Sequence, residues 1–278
     1  MRIPWKLKST IFYFIDFFDG HNFLYFLQKN VTGRSRKKNL TIAENWLKHK
    51  RTLDKFAAMD SIFEFGAGKS LAQNLFLSSV VKEQLVVDLY PMVDLSLVDS
   101  ARKRLSEQVK LKSKIKIEDI SDLSGYGITY KAPFDATATG LPDNQIDACI
   151  STNTLEHIPR EQIIRIFREL NRILKRDGIV SAIIDYSDHY AHTDKSISLL
   201  NFLRYDEKTW SRYNHASHHQ NRLRHRDYIN IFRELDFEVI AETLVFDETD
   251  IPKEITALFS DTDESWRATS AHIILRNR

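Results

Sequence analysis

The chain has 278 residues and a mass of 32.5 kDa, and its 42% hydrophobic and 28% charged residues exclude a disordered protein and predict one large folded domain or a domain with additions. Cys149 is the only cysteine, which excludes an internal disulfide and a cysteine-based zinc cluster and is typical of a cytoplasmic protein. The formal net charge of +2 is too small to indicate a nucleic-acid-binding protein.

The first 39 residues form a basic and aromatic segment. They carry a net charge of +6, so the rest of the chain is net acidic. Asp16, Asp19 and Gly20 interrupt the apolar run, which argues against a signal peptide or a membrane-spanning helix. Two interpretations stay open. Either two short helices break at Asp19-Gly20 and pack on the domain or a partner, or an aromatic face enters a membrane interface while Lys and Arg meet anionic lipid.

From residue 61 onward, short strand-like runs alternate with amphipathic helical runs, which predicts an α/β domain with a mostly parallel sheet. We predict an N-terminal helical extension over 1–59 and a domain over 60–278 that contains a His-rich insertion at 186–221. The predicted strands are 61–65, 84–88, 129–135, 146–152, 179–185, 237–246 and 268–275. The predicted helices are 71–80, 94–109, 160–174 and 225–235.

The first strand ends in a glycine turn that leads directly into a helix. Gly66 and Gly68 let a ligand approach the main chain closely, and the helix N-terminus supplies free N–H groups. Asp88 ends the second strand, where an acid can accept hydrogen bonds from both hydroxyls of a ribose. The pattern favours a nucleotide-type ligand. The alternative is a tight strand–helix corner, with Asp88 capping the next helix.

The glycine turn departs from the dinucleotide fingerprint, which would place a third glycine where this chain has Leu71. Glu64-Phe-Gly66-Ala-Gly68 resembles instead motif I of the class I S-adenosylmethionine-dependent methyltransferases, with Ser70 replacing the third glycine. Later segments resemble this family, and its methyltransferase-11-like members, in the same order along residues 60–275. These segments are 135–150, 151–158, 174–180 and 232–239.

The resemblance implies a Rossmann-like, doubly wound, seven-stranded sheet that is mostly parallel with the last strand antiparallel. It also implies S-adenosyl-L-methionine as the cofactor and eight residues that contact it. These are Glu64, Gly66 and Gly68 at the methionine end, Asp88 at the ribose hydroxyls, Leu89, Asp135 and Ala136 at the adenine, and Asn153 near the amino acid or sulfonium. An ordinary turn acid is the alternative for Asp135.

Methyl transfer from a sulfonium is an in-line displacement, so the protein must orient the acceptor and remove a proton from an acceptor hydroxyl or amine. The insertion holds five of the ten histidines together with acidic residues and aromatic ones. A sugar or another polyol suits this mixture, because it needs hydrogen bonds together with stacking on aromatic rings, here those of Tyr186, Tyr190, Trp210 and Tyr213. A solvated loop is the alternative. His189 and His192 follow the fifth strand and are predicted general bases, with His157 as the rival. A metal on Asp185, His189 and His192 is also considered, but without a further clearly spaced ligand no metal is assigned.

The sequence therefore predicts a methyltransferase that O-methylates a sugar or lipid-linked glycan near the inner face of the membrane. Residues 201–224 loosely resemble methyltransferases found with bacterial surface-polysaccharide assembly. The alternatives are a quinone or other small-molecule O-methyltransferase and a methyltransferase-fold protein that binds a partner without catalysis. Nucleic acid is an unlikely acceptor, because the chain beyond residue 39 is net acidic and contains no RNA-binding module.

Overall fold

The computed structural model describes residues 3–17, 41–58, 60–247, 251–259 and 263–278. Within these residues one seven-stranded sheet is covered by helices. The strands are β1 (Ser61–Phe65), β2 (Glu83–Val87), β3 (Ile128–Lys131), β4 (Ile146–Thr152), β5 (Leu174–Asp185), β6 (Phe237–Val245) and β7 (Ser270–Asn277). The helices are α1 (Trp5–Phe17), α2 (Glu44–Phe56), α3 (Ala72–Leu77), α4 (Leu95–Ser106), α5 (Arg160–Ile173), α6 (Glu207–Trp210), α7 (His225–Glu234) and α8 (Lys253–Thr256).

The strand order is β3-β2-β1-β4-β5-β7-β6. β7 pairs antiparallel with β5 and with β6, and the other neighbouring strands pair parallel. The predicted Rossmann-like, mostly parallel sheet with an antiparallel last strand is confirmed. In this topology β1 and β4 are central neighbours, so ligands are expected beyond their carboxyl ends.

Several predicted boundaries differ from the structure by one to five residues, and three of the differences have a local reason. α3 begins at Ala72 rather than at residue 71, because Leu71 has a left-handed backbone with φ of 45°. β3 ends at Lys131, two residues before Pro133, which has no N–H to donate to the next strand. β5 begins at Leu174 instead of residue 179, and its pairing with β4 is interrupted between Leu174 and Ile179.

Apolar side chains fill both faces of the sheet. On one face of the sheet, the apolar side chains along one side of α5 pack against the strands, as the helical spacing of these residues predicted. On the other face α3 and α4 pack on β1 and β2. Each fully buried large apolar side chain stabilises the fold by about 1.5–3 kcal/mol. The buried stripe of α5 consists of Ile163, Ile166, Phe167, Leu170 and Ile173.

α2 is tied to the centre of the sheet by a buried histidine. His49 Nδ1 lies 2.8 Å from the Ser181 hydroxyl, and its Nε2 lies 2.9 Å from the Thr152 hydroxyl. His272 reaches the same Ser181 hydroxyl at 2.8 Å. Burial lowers the pKa of His49 to about 3 and that of His272 to about 4, so both are neutral at pH 7. α2 thus packs on β4 and β5, while a domain boundary at 59/60 stays a prediction.

α1 packs on the insertion through one face. The Trp5 amide donates to the Asp194 carboxylate at 2.8 Å, which places a negative charge at the helix N-terminus. The Ser9 hydroxyl lies 2.8 Å from Nε2 of His215, and the ring of Phe12 is buried. The predicted break at Asp19-Gly20 and the second short helix lie outside the described residues.

The opposite face of α1 is apolar and exposed. Its large side chains are Leu7, Ile11, Tyr13, Phe14 and Phe17. No helix among the described residues is long and apolar enough to cross a bilayer.

The insertion builds an aromatic core of its own instead of forming a solvated loop. Tyr190, Phe202 and Trp210 are buried together with Trp5 of α1. The expectation that aromatic side chains of this segment stack on a sugar is therefore wrong for Tyr190 and Trp210, and also for Tyr186. Their rings are about 2% exposed because they pack on one another and on α1, or in the main core.

Candidate functional site

A cavity of about 580 Å³ opens beyond the carboxyl ends of β1, β2 and β4. Five of the eight predicted cofactor residues line it. They are Gly66, Asp88, Leu89, Asp135 and Ala136. Phe65, Phe134 and Ile158 give the cavity apolar walls that suit a planar ring. The cavity thus combines carboxylates with apolar walls at the edge where the topology predicts a ligand.

The glycine turn depends on glycine at position 66. Gly66 has φ of 76°, and its N–H donates to the Val87 carbonyl at 2.9 Å, which holds the turn against β2. A Cβ atom here would lie 2.3 Å from Cγ2 of Thr154. Gly68 has the same φ, but a Cβ atom there would meet nothing within 4 Å. The space above Gly68 is therefore open to a ligand.

Asp88 is the buried carboxylate of the cavity. The Tyr130 hydroxyl donates to its Oδ2 at 3.0 Å. Burial raises the pKa of Asp88 to about 6, against the opposing effect of hydrogen bonds from Tyr130 and from the backbone of Gly68 and Ala67. The carboxylate is thus ionised at pH 7, with accepting capacity left for a ligand hydroxyl.

Glu64 lies behind the glycine turn and does not line the cavity. Its two oxygens accept hydrogen bonds from Gln73 at 3.1 Å and from Asn74 at 2.6 Å, both on α3. Burial raises the pKa of Glu64 to about 8, against the opposing effect of the hydrogen bonds from Asn74 and Gln73. In the structure this side chain joins β1 to α3.

His157 lines the cavity directly after β4. Its Nδ1 lies 2.8 Å from the backbone oxygen of His219. A carbonyl oxygen can only accept, so Nδ1 carries the proton and Nε2 keeps its lone pair. Burial lowers the pKa of His157, which keeps the ring neutral near pH 7.

His189 joins the cavity to a second group of polar side chains. Its ring centre is 4.9 Å from that of His157 and 5.0 Å from that of His192. Nε2 of His189 and Nε2 of His192 each lie 3.5 Å from Oδ2 of Asp185, at the end of β5. The ring of His189 therefore lies next to those of both other predicted histidines.

Glu156 is buried beside this row. Neither of its carboxylate oxygens has a hydrogen-bond partner among the described residues. Burial raises the pKa of Glu156 well above its ordinary value, although the backbone of Glu156 and Asp185 has a smaller opposing effect. One ligand atom each of Glu156, His157 and His189 lies within 4.8 Å of the other two.

A second, smaller cavity of about 270 Å³ lies beyond β4 and β5. Asn153, predicted at the cofactor, lines this cavity instead of the first. The wall is polar and includes two residues of α2. The polar residues are Asn45, Lys48, Asn153, Asp185, Ser187, His192, Asp247, Thr269 and Ser270. His157 of the first cavity and His192 of the second each lie about 5 Å from His189, measured between ring centres.

Two adjacent residues without a predicted role, Gln220 and Asn221, hold the backbone around His189 and His157 in place. The Gln220 side chain accepts from the His189 amide at 3.1 Å and donates to the Ser187 carbonyl. The Asn221 side chain donates to the carbonyls of Leu155 and Ile158, on either side of His157, at 2.8 and 2.7 Å. The only signal in the sequence was two adjacent amides at the end of the insertion, which is too weak to assign such a role.

Residues 63–182 match the family model described as "Methyltransferase domain". This stretch runs from β1 into β5 and includes the glycine turn, Asp88, Asp135 and His157. A search of curated proteins finds no match.

Solved structures with the same fold include the cyclase SpnF, at 15% identity and a TM-score of 0.51, covering 84% of this chain and 81% of SpnF. The YcgJ protein of Bacillus subtilis has 18% identity and a TM-score of 0.47, covering 84% of this chain and 98% of YcgJ. A SAM-dependent methyltransferase of Archaeoglobus fulgidus has 14% identity and a TM-score of 0.47, covering 91% of this chain and 99% of that protein. At these identities the likeness concerns the fold alone.

The chain thus contains a stretch that matches a methyltransferase domain, in a sheet with the predicted topology, and S-adenosylmethionine is the cofactor that this match implies. The residues present fit this molecule. Asp88 offers an ionised acceptor for ribose hydroxyls, the apolar walls suit an adenine ring, and the open space above Gly68 leaves room near the main chain.

Proposed function

We propose that this chain transfers a methyl group from S-adenosylmethionine to a hydroxyl group of a sugar-type acceptor. The observation that carries the proposal is the pair of cavities on either side of His189. One cavity combines carboxylates with apolar walls, as a nucleoside donor requires, and the other is lined by amides, carboxylates and hydroxyls.

The donor supplies an electrophilic methyl group, and the chain supplies position and a proton acceptor. Asp88 would hold the ribose hydroxyls, and Leu89 with Ala136 would pack on the adenine. Of the three predicted bases, His157 is best suited, since it lines the donor cavity and its Nε2 has a free lone pair. His192 and Asp185 line the second cavity and would orient the acceptor there, next to His189.

The polar second cavity favours a polyol over a quinone. A quinone ring and its lipid tail need apolar walls, whereas Asn45, Asn153 and Asp247 present hydrogen-bonding groups. The sugar interpretation thus rests on these amides and carboxylates, since Tyr186, Tyr190 and Trp210 are buried.

The outer face of α1 supports an acceptor that is linked to lipid. It presents five large apolar side chains next to the exposed Lys6, and it packs on the same insertion that bears His189 and His192. A face of this kind suits a membrane interface with anionic lipid.

The test is donor binding by calorimetry, followed by release of S-adenosylhomocysteine with nucleotide sugars, lipid-linked glycans and quinones. We expect binding of the donor and turnover with a sugar-containing acceptor. Turnover with quinones alone would favour the small-molecule alternative. Donor binding without turnover on any acceptor would favour a non-catalytic binding protein, and the absence of donor binding would remove the basis of the proposal.

A further inference from the structure

The cluster of Asp185, His189 and His192 has the composition and geometry of a ligand set for a metal ion. We propose that these three side chains bind one divalent transition-metal ion, with zinc, manganese and cobalt as suitable ions. Two imidazole nitrogens and one carboxylate oxygen are the donor set that such ions use when one or more coordination positions stay open.

The distances from Asp185 to both histidines are too long for good hydrogen bonds, since Nε2 of His189 and Nε2 of His192 are each 3.5 Å from its Oδ2. Nε2 of His192 also lies 2.9 Å from the Ser187 hydroxyl, a contact that an ion on this nitrogen would replace. All three ligand atoms lie within 4.8 Å of one another. A point equidistant from three atoms so arranged lies within about 2.4 Å of each, which is close enough for bonds from zinc to nitrogen or oxygen after small side-chain shifts.

The surroundings orient the carboxylate for this role. Oδ1 of Asp185 accepts hydrogen bonds from the Ser187 amide at 2.8 Å and from the Ser187 hydroxyl at 2.6 Å. These bonds leave Oδ2 facing both histidines. Carboxylates that ligate a metal are oriented in the same way, by hydrogen bonds from neighbouring groups. Gln220 fixes the backbone of His189 through its amide.

Nε2 of His189 is buried and has no hydrogen-bond partner among the described residues. A buried nitrogen without a partner costs free energy, and ligation by an ion would remove that cost. The Glu156 carboxylate beside it is equally buried and without a partner in the part of the chain that the structure describes. Two buried polar groups of this kind, side by side, indicate that a cation belongs here.

The site is accessible from the second cavity. The His192 side chain is 47% exposed, and both His192 and Asp185 line that cavity. An ion bound there would have its open positions directed toward the polar wall. If the proposed function holds, an ion at this position implies an acceptor with two neighbouring hydroxyl groups, because the ion can bind both of them at once.

The experiment is calorimetric titration of the chelator-treated full chain with zinc, manganese or cobalt chloride at pH 7.5, with the absorption spectrum of the cobalt form as a second readout. We expect one ion per chain. His192→Ala and Asp185→Asn should weaken the affinity at least 10-fold and change the cobalt spectrum. His192 is half exposed, so its variant tests the site without removing a buried side chain.

The matched control is His225→Gln, because His225 forms a histidine–carboxylate pair with Glu242 at 3.2 Å, outside the cluster. It should leave metal binding unchanged. No saturable binding, binding that persists in both cluster variants, or equal loss in the control would overturn the proposal. Metal binding without donor binding would uphold this inference while contradicting the proposed function.

Discussion

The side chain of Thr154 occupies the space that a Cβ atom on Gly66 would need, with its methyl carbon 2.3 Å from that position. The Thr154 hydroxyl also donates to the Gly66 carbonyl at 3.2 Å. The contact joins the turn after β1 to the turn after β4. The shape of the donor cavity therefore depends on both turns.

Gly66→Ala should lower the free energy of unfolding by about 2–4 kcal/mol, the sum of a left-handed backbone and an overpacked contact. Gly68→Ala has the same backbone cost but no clash, so it should lose only about 1–2 kcal/mol. Urea unfolding measures both values. Equal losses in the two variants would show that Thr154 moves aside without cost.

Asp88→Asn should weaken S-adenosylmethionine binding by about 10–150-fold, since a charged acceptor contributes about 1.5–3 kcal/mol. The pKa of Asp88 is raised to about 6, so protonation begins to remove that acceptor as the pH falls through 6. Donor affinity of the parent should therefore be up to about 10-fold lower at pH 5 than at pH 7. Calorimetry at both pH values measures this, and the variant should lack the dependence. A parent affinity independent of pH would contradict the role of Asp88.

His157→Asn should lower turnover by about 10²–10⁴-fold with donor affinity retained, because a general base acts on the acceptor proton. Assays of turnover and calorimetric measurement of donor affinity, made on the same preparation, separate the effect on catalysis from an effect on donor binding. His225→Asn, which alters a histidine outside both cavities, serves as the control. If His157→Asn keeps the turnover of the parent, His157 is not the general base, and His189 or His192 becomes the candidate.

Arg224→Lys should cost about 2–5 kcal/mol of stability. The buried guanidinium donates to the carbonyls of Tyr186, at 2.7 Å, and Trp266, at 2.9 Å, and also to that of Ala268. The single ammonium group of lysine cannot reach all three carbonyls as the planar guanidinium does, so buried carbonyls would lose their donors. Thermal and urea unfolding measure the loss, and the exposed Arg233→Lys should stay within about 0.5 kcal/mol of the parent. Equal stability of both variants would contradict the role given to Arg224.

Phe14→Ser should weaken binding to anionic vesicles by about 10–150-fold, the effect of about 1.5–3 kcal/mol from one aromatic side chain. Sedimentation of the full chain with vesicles measures binding, which should weaken as salt rises and be weaker on neutral lipid. Phe14 and Leu258 are similarly exposed, at 53% and 61%, so Leu258→Ser is the matched control. If vesicle binding does not depend on lipid charge or salt and is unchanged in Phe14→Ser, α1 is excluded as a membrane contact.

The sheet and its covering helices were predictable because local patterns determine them. β1 and β4 were predicted to the residue, and α5 to within one residue, from short, mostly apolar runs and a helical period. Asp236, in the turn before β6, has a left-handed backbone with φ of 64°. Aspartate tolerates that conformation better than most residues do, so the turn forms without a glycine.

The insertion and α2 were less predictable because distant residues decide their environment. The aromatic residues of the insertion turn inward since α1, nearly 200 residues earlier, completes their core. His49 is buried because Ser181, 132 residues later, bonds to it. No local pattern distinguishes such a histidine from an exposed one.

The pairing of α1 with the insertion has a consequence for synthesis on the ribosome. Trp5 is made 189 residues before Asp194, its partner, and at about 5–20 residues per second this interval is about 10–40 s. During that time the inner face of α1, which bears Trp5, Phe12 and Ile15, has no partner from the insertion. A nascent chain with both faces of this helix uncovered is a substrate for chaperones or an early ligand for a nearby bilayer.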